Sequence, residues 1–139
     1  MIAAAPLINR LLERLPYARV LVTAMTATGR ARGEALFGER VQGAYAPLDT
    51  PGAVRRFIRR VSPQALVIME TELWPNLLTL SRREGVPVML VNARLSERSA
   101  QGYQRVAVLA RPLIAGLNWI GAQNEADRQR FLQLGATPE

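Results

Sequence analysis

Three residue types are missing from this sequence of 139 residues: it has no cysteine, no histidine and no lysine. Without cysteine there are no disulfides or thiolate nucleophiles, and without histidine the imidazole base and the commonest zinc ligand go too. Any chemistry on this chain rests on carboxylates, hydroxyls and guanidinium groups. The missing lysine makes all eighteen basic residues arginine, against eleven acidic ones, for a formal charge of +7. Guanidinium pairs well with phosphate and carboxylate, so anionic partners suit this balance. A GC-rich genome that writes arginine wherever a surface cation is tolerated also accounts for it. Long apolar runs are lacking as well. Val106 to Leu117 is interrupted by Arg111 and Pro112 and falls short of the ~20 residues of a membrane span. The opening Met1 to Leu7 has neither the basic leader nor the apolar core of a signal peptide, so no export is expected.

What is present is the composition of a folded chain, 49% hydrophobic and 21% charged, with no low-complexity tract or repeat. The length suits one domain, residues 1–139. Ile8, Leu11, Leu12 and Leu15 recur at helical spacing and open the chain on an amphipathic helix. Short apolar runs then alternate with helical segments. Strands are expected at 19–23, 41–45, 65–69, 87–91 and 118–122. The helices between them run to Phe37, from a hydroxyl-capped start at Thr50-Pro51, from Pro75 to Arg83, from Ser99 to Leu117 with a kink or division at Pro112, and from Glu125 to Leu132. Such alternation means βαβ units with right-handed crossovers, an α/β Rossmann-like parallel sheet with helices on both faces.

In open parallel sheets ligands bind beyond the carboxyl ends of the strands, so the strand exits are the places to look. The first exit carries Thr23, Thr26, Thr28 and Gly29 ahead of a helix. Its amides suit an anion, and its threonines equally suit helix capping. The second carries Glu70 and Glu72, two apart. If the strand stays extended both point to one side and can share a site; alternatively one caps the helix at Pro75 and the other pairs with an arginine. Trp74 beside them reads as core. The third offers Asn92, Arg94, Ser96, Glu97, Arg98 and Ser99, groups suited to a phosphorylated or sugar ligand, with Ser96 or Ser99 also placed to cap the next helix. The fourth, Gln123-Asn124-Glu125, is short. Clusters far apart in sequence all fall at one predicted rim, and that convergence argues for a site.

The helix after Thr50 has an apolar stripe of Val54, Phe57, Ile58 and Val61, and an opposite face of Arg55, Arg56, Arg59 and Arg60. That face is either simply solvated or laid on anionic lipid, where each arginine adds ~1 kcal/mol. A receiver-type signalling module would need an acidic cluster after its first strand and usually a lysine. A nucleic-acid binder would interleave arginines with stacking aromatics, and here the arginines are dispersed. The remaining alternative to an enzyme is a non-catalytic α/β module for anionic ligands.

Four strings are more specific than these patterns: Thr23 to Gly29, Tyr45-Ala46-Pro47-Leu48-Asp49, Met69 to Asn76, and Val91 to Ser99. In this order they resemble the amino-terminal domain of Kdo (3-deoxy-D-manno-octulosonic acid) transferases, and the resemblance runs the length of the chain. It implies the acceptor-side half of a two-domain, inverting GT-B glycosyltransferase of lipopolysaccharide synthesis. The donor implied is CMP-Kdo and the acceptor the glucosamine 6-hydroxyl of a lipid A precursor, with no metal or other cofactor and no nucleic acid as partner. The implied location is peripheral, at the cytoplasmic face of the bacterial inner membrane, with Arg55, Arg56, Arg59 and Arg60 toward lipid phosphates or the anionic surface. Glu70 matches a glutamate needed for activity. Glu72, Asn92, Arg94, Ser96 and Arg98 match strongly patterned positions, and Thr23, Thr26, Thr28 and Gly29 match the loop at the cleft.

The same resemblance places the general base, a glutamate in a Ser-Val-Gly-Glu segment, just upstream of Met1, and leaves the donor domain out of this chain. The expectation is therefore a domain cut at both ends, with little transferase activity by itself. An unpaired inner strand edge and an uncovered apolar face should also make it prone to association.

Overall fold

The computed structural model describes residues 2–137. Met1, Pro138 and Glu139, where the sequence reading sets the cut ends, lie outside them. The chain divides into two compact units, Met1–Pro47 and Leu48–Glu139.

In the first unit a 3-10 turn, Ile2–Ala4, leads into helix α1, Ala5–Arg14, which buries Ile8 on its apolar side. Strand β1, Leu21–Ala24, is followed by helix α2, Ala27–Phe37, a further 3-10 turn at Gly38–Arg40, and strand β2, Gln42–Tyr45. β1 and β2 pair in parallel, Leu21 opposite Gln42 through Ala24 opposite Tyr45. The connection through α2 is thus one βαβ unit, anchored by the buried Phe37 at the end of the helix.

The second unit holds the larger core. It begins with helix α3, Pro51–Val61, then strand β3, Leu66–Met69, helix α4, Pro75–Arg83, and strand β4, Val88–Ala93. Helices α5, Glu97–Arg105, and α6, Ala107–Ile114, precede strand β5, Trp119–Ala122, and helix α7, Glu125–Gln133. The three strands form a parallel sheet in the order β3-β4-β5. Because side chains alternate across a strand, Ile68, Val88 and Leu90 share one face. There they bury against Leu78, Ala100, Ile114, Phe131 and Leu134. The other face, with Val67, Met69, Met89 and Val91, is less covered, and Val67 is 38% exposed. α3 sets Val54 and Ile58 against Leu80 and Val86, while all four of its arginines stay exposed.

Three expectations change. The five strands lie in two sheets, since no backbone pairing among the described residues joins β1-β2 to β3-β4-β5. Thr50 caps α3 through its carbonyl, which accepts from Val54 N at 3.0 Å, and not through its hydroxyl. Pro51 removes one of the amides that needs a partner there. The long helix after Ser96 divides at Val106, not at Pro112. Val106 leaves helical geometry (φ −115°, ψ 34°), and its amide turns back to the Tyr103 carbonyl at 3.2 Å. Pro112 stays inside α6 because the bond it cannot make would go to the carbonyl of Val108, a residue 88% exposed, where water can take its place.

Candidate functional site

In the second unit the carboxyl ends of β3, β4 and β5 meet at one rim. β3 stops at Met69, and Glu70 adopts a left-handed backbone, φ +61°. Its amide still bonds the Val91 carbonyl of β4 at 2.9 Å. This corrects the expectation of an extended run that sets Glu70 and Glu72 on one side, because the chain turns before alternation can align them. Asn92 is also left-handed, φ +53°. It sits where the pairing of β4 with β5 slips between Leu90 and Ala93. One extra residue on β4 makes a bulge there, and asparagine tolerates that conformation better than most residues with a side chain. Two strained residues at adjacent strand ends are what functional rims tend to hold in place.

The turns after β3 and β4 are tied together by Thr71. Its hydroxyl donates to the Arg94 carbonyl and accepts from the Arg94 amide at 3.1 Å. The next residue is held by α7. Leu95 N donates to Asp127 Oδ1 at 3.0 Å, and Arg130 Nη1 donates to the Leu95 carbonyl at 3.1 Å and to Asp127 Oδ1 at 3.1 Å. Asp127 is 3% exposed, and its carboxylate oxygens are satisfied by these partners and by Asn124 Nδ2 at 2.8 Å. Asn124 in turn caps α7, accepting from Asp127 N at 2.8 Å. From the fourth exit, Gln123 Nε2 donates to the Asn92 carbonyl at 3.2 Å.

The carboxylates of Glu70 and Glu72 and the guanidiniums of Arg94 and Arg98 are exposed, and among the described residues none of them enters a hydrogen bond or ion pair. Neither glutamate caps α4. Asp49 does so from across the unit, its Oδ1 accepting from Leu77 N at 2.8 Å and its Oδ2 from Asn76 N at 3.2 Å, while Asn76 Nδ2 returns a bond to the Asp49 carbonyl at 2.7 Å. The cap holds the Leu73-Trp74-Pro75-Asn76 turn beside the rim. Trp74 there is half-buried. Ser96 caps α5, its hydroxyl accepting from Ser99 N at 3.2 Å and donating to Ser99 Oγ at 2.9 Å. Glu125, in the first turn of α7, is held below the usual carboxylate range by hydrogen bonds from Gln129 and Arg128.

The first exit belongs to the other unit. There Thr26 caps α2, accepting from Gly29 N at 3.1 Å. A Cβ at Gly29 would lie 3.1 Å from that hydroxyl and 3.2 Å from the Ala24 side chain, so the glycine keeps the cap close. Thr23 and Thr28 are exposed. Arg30 stacks over Tyr45 at 5.3 Å and pairs with Glu34 at 3.1 Å. Of the residues expected at a single rim, Glu70, Asn92, Arg94 and Gln123 are thus found together within one unit, with Thr71 between them. Sequence reasoning misses Thr71, Asp49, Asp127 and Arg130. The pair Asn124 and Asp127, a capping residue with an acid three positions on, is a legible helix-start signal that points to one of them.

Parallel strands whose polar exits are bonded to one another at the carboxyl end define an α/β domain of the class in which ligands, where they bind, sit beyond the sheet rim. The sequence comparisons say of which kind. A family profile described as 3-deoxy-D-manno-octulosonic-acid transferase (kdotransferase) matches residues 1–139, and the chain belongs to that family. It is 46% identical over 140 residues to a 3-deoxy-D-manno-octulosonic acid transferase of Bordetella pertussis, covering 96% of this chain and 32% of the relative. The protein of the same name from Haemophilus influenzae is 37% identical over 139 residues, covering 100% of this chain and 33% of the relative. That from Chlamydia trachomatis serovar D is 30% identical over 136 residues, covering 97% and 32%. The chain spans about a third of the length of these relatives.

Proposed function

We propose that this chain forms the acceptor-side part of a glycosyltransferase that moves a Kdo residue from CMP-Kdo to a lipid A precursor. The observation that carries the reading is the joining of the Glu70 and Arg94 turns at one sheet rim, with both charged groups exposed and unpaired among the described residues. A sugar acceptor offers hydroxyls to a carboxylate and phosphates to guanidinium groups. In this reading Glu70 accepts from acceptor hydroxyls, and Arg94 and Arg98 take its anionic groups. Asn92 and Glu72 border the same site. Ser96 serves it by fixing the start of α5, and Thr23, Thr26, Thr28 and Gly29 match the Thr/Gly loop that the family resemblance assigns to substrate binding. The acceptor oxygen bonds to the anomeric carbon of Kdo as the bond to the CMP phosphate oxygen breaks. The family pattern gives the released proton to a different glutamate, so the part of Glu70 is to hold the acceptor.

Among the described residues no helix is long and apolar enough to cross a membrane. In this reading the exposed arginine face of α3, Arg55, Arg56, Arg59 and Arg60, lies toward the anionic cytoplasmic surface of the inner membrane.

The test joins this chain to the remainder of the Bordetella pertussis relative and measures transfer of labelled Kdo from CMP-Kdo to a lipid A precursor. Glu70→Gln should lower kcat/KM by about 100-fold, the scale of a lost positioning contact. Unchanged transfer by that variant, or no transfer by the parent fusion, would count against the reading.

A further inference from the structure

Arg94 and Leu95 present four consecutive main-chain polar groups to be satisfied, and side chains take all of them. Thr71 accepts from the Arg94 amide and donates to its carbonyl, Asp127 accepts from the Leu95 amide, and Arg130 donates to the Leu95 carbonyl. A turn off a strand end normally satisfies such groups with water or its own backbone, and stays mobile for that reason. This one is gripped from the neighbouring strand exit on one side and from α7 on the other. The grips reach 23, 32 and 35 residues along the chain. The guanidinium of Arg94 itself stays exposed and enters no bond or ion pair among the described residues. The Thr71 grip also runs through the residue next to Glu70, so the two charged groups share one hydroxyl as their common tether.

We propose that Thr71, Asp127 and Arg130 are positioning residues that fix the backbone beneath Arg94, and so hold its guanidinium at a set place relative to Glu70 for an anionic sugar acceptor. The proposal rests on the acceptor-site reading for its ligand, and on the hydrogen bonds alone for the grip. An arginine whose backbone is already ordered loses less freedom when an anion docks, so the grip strengthens binding without touching the ligand.

Thr71→Val keeps the shape of the side chain and removes the hydroxyl, and Thr71→Ser restores it. Amide hydrogen exchange on the chain is the first readout. Thr71→Val should speed exchange at the Arg94 amide by about tenfold or more, as expected for a lost hydrogen bond of ordinary strength, while amides in the core of β4 stay protected. Thr71→Ser should exchange like the parent. In the fusion with the Bordetella pertussis remainder, Thr71→Val should lower kcat/KM for Kdo transfer by about 10- to 100-fold, mostly through KM for the acceptor, and serine should recover most of it. Arg130→Met is the independent variant, removing the grip on Leu95 from a partly exposed position, with the same direction of effect expected. Unchanged exchange at Arg94 and Leu95 in both variants overturns the grip. Faster exchange with unchanged acceptor KM overturns its positioning role. An inactive parent fusion instead overturns the transferase reading, and leaves the exchange comparison to decide the grip by itself.

Discussion

Glu70 is the residue where backbone and function pull apart. A left-handed conformation costs a residue with a Cβ about 1–2 kcal/mol, and glycine escapes that cost while losing roughly 0.5–1 kcal/mol to its greater freedom when unfolded. Glu70→Gly should therefore be more stable than Glu70→Ala by about 1 kcal/mol, as read from urea unfolding midpoints at constant slope. Equal stability would mean that the φ of +61° is not held in solution. Glu70 is legible in the sequence as a carboxylate leaving an apolar run. Its turn is not, because nothing local demands that a glutamate go left-handed there. The conformation follows from the bond of its amide to Val91 and from Thr71 fastening the next residue to Arg94. Thr71 itself is hidden for the same reason, since a threonine between two glutamates gives no local sign of a partner 23 positions away.

At the scale of elements, most of the fold is readable. The apolar runs at Leu66–Met69 and Trp119–Ala122 and the proline-led helix Pro75–Arg83 fall where their patterns place them. Deviations come where two local signals compete. Pro112 suggests a break, yet the turn at Val106 takes it, and α6 carries the proline on an exposed side. Long-range caps are the other blind spot. α4 follows Trp74, whose side chain makes no cap, and depends on Asp49. Asp49→Ala should destabilise the second unit by about 1–2 kcal/mol, visible as a shifted unfolding midpoint, and a change within error would contradict the cap. The arginine face of α3 gives a different prediction. Replacing Arg55, Arg56, Arg59 and Arg60 by glutamine should release the protein from phosphatidylglycerol-containing vesicles, at ~1 kcal/mol per arginine near the surface. The parent's binding should weaken with added salt. Identical vesicle binding by the parent and the glutamine variant would leave the face as ordinary solvated surface.

For the whole molecule, the alternation of strands and helices is legible but the partition of the described strands into two sheets is not, because which strands pair is decided by long-range contacts that no local pattern records. Among the described residues of the second unit β3 and β5 each pair with one strand, and Val67 and its face of the sheet are thinly covered. Open edges beside apolar surface promote pairing between copies. Sedimentation velocity of the chain by itself should show concentration-dependent association, and a strictly monomeric species across the range would contradict it.

Docking of an anionic sugar acceptor at the rim where β3, β4 and β5 end is what the proposed function requires first. Its most direct test is a titration of the nitrogen-15-labelled chain with the bisphosphorylated glucosamine disaccharide headgroup of lipid A, followed by amide chemical shifts. The shifts should concentrate on Glu70 and Thr71, Asn92 to Leu95, and Gln123. Shifts confined to the arginine face of α3, or no saturable shift at the rim, would contradict it.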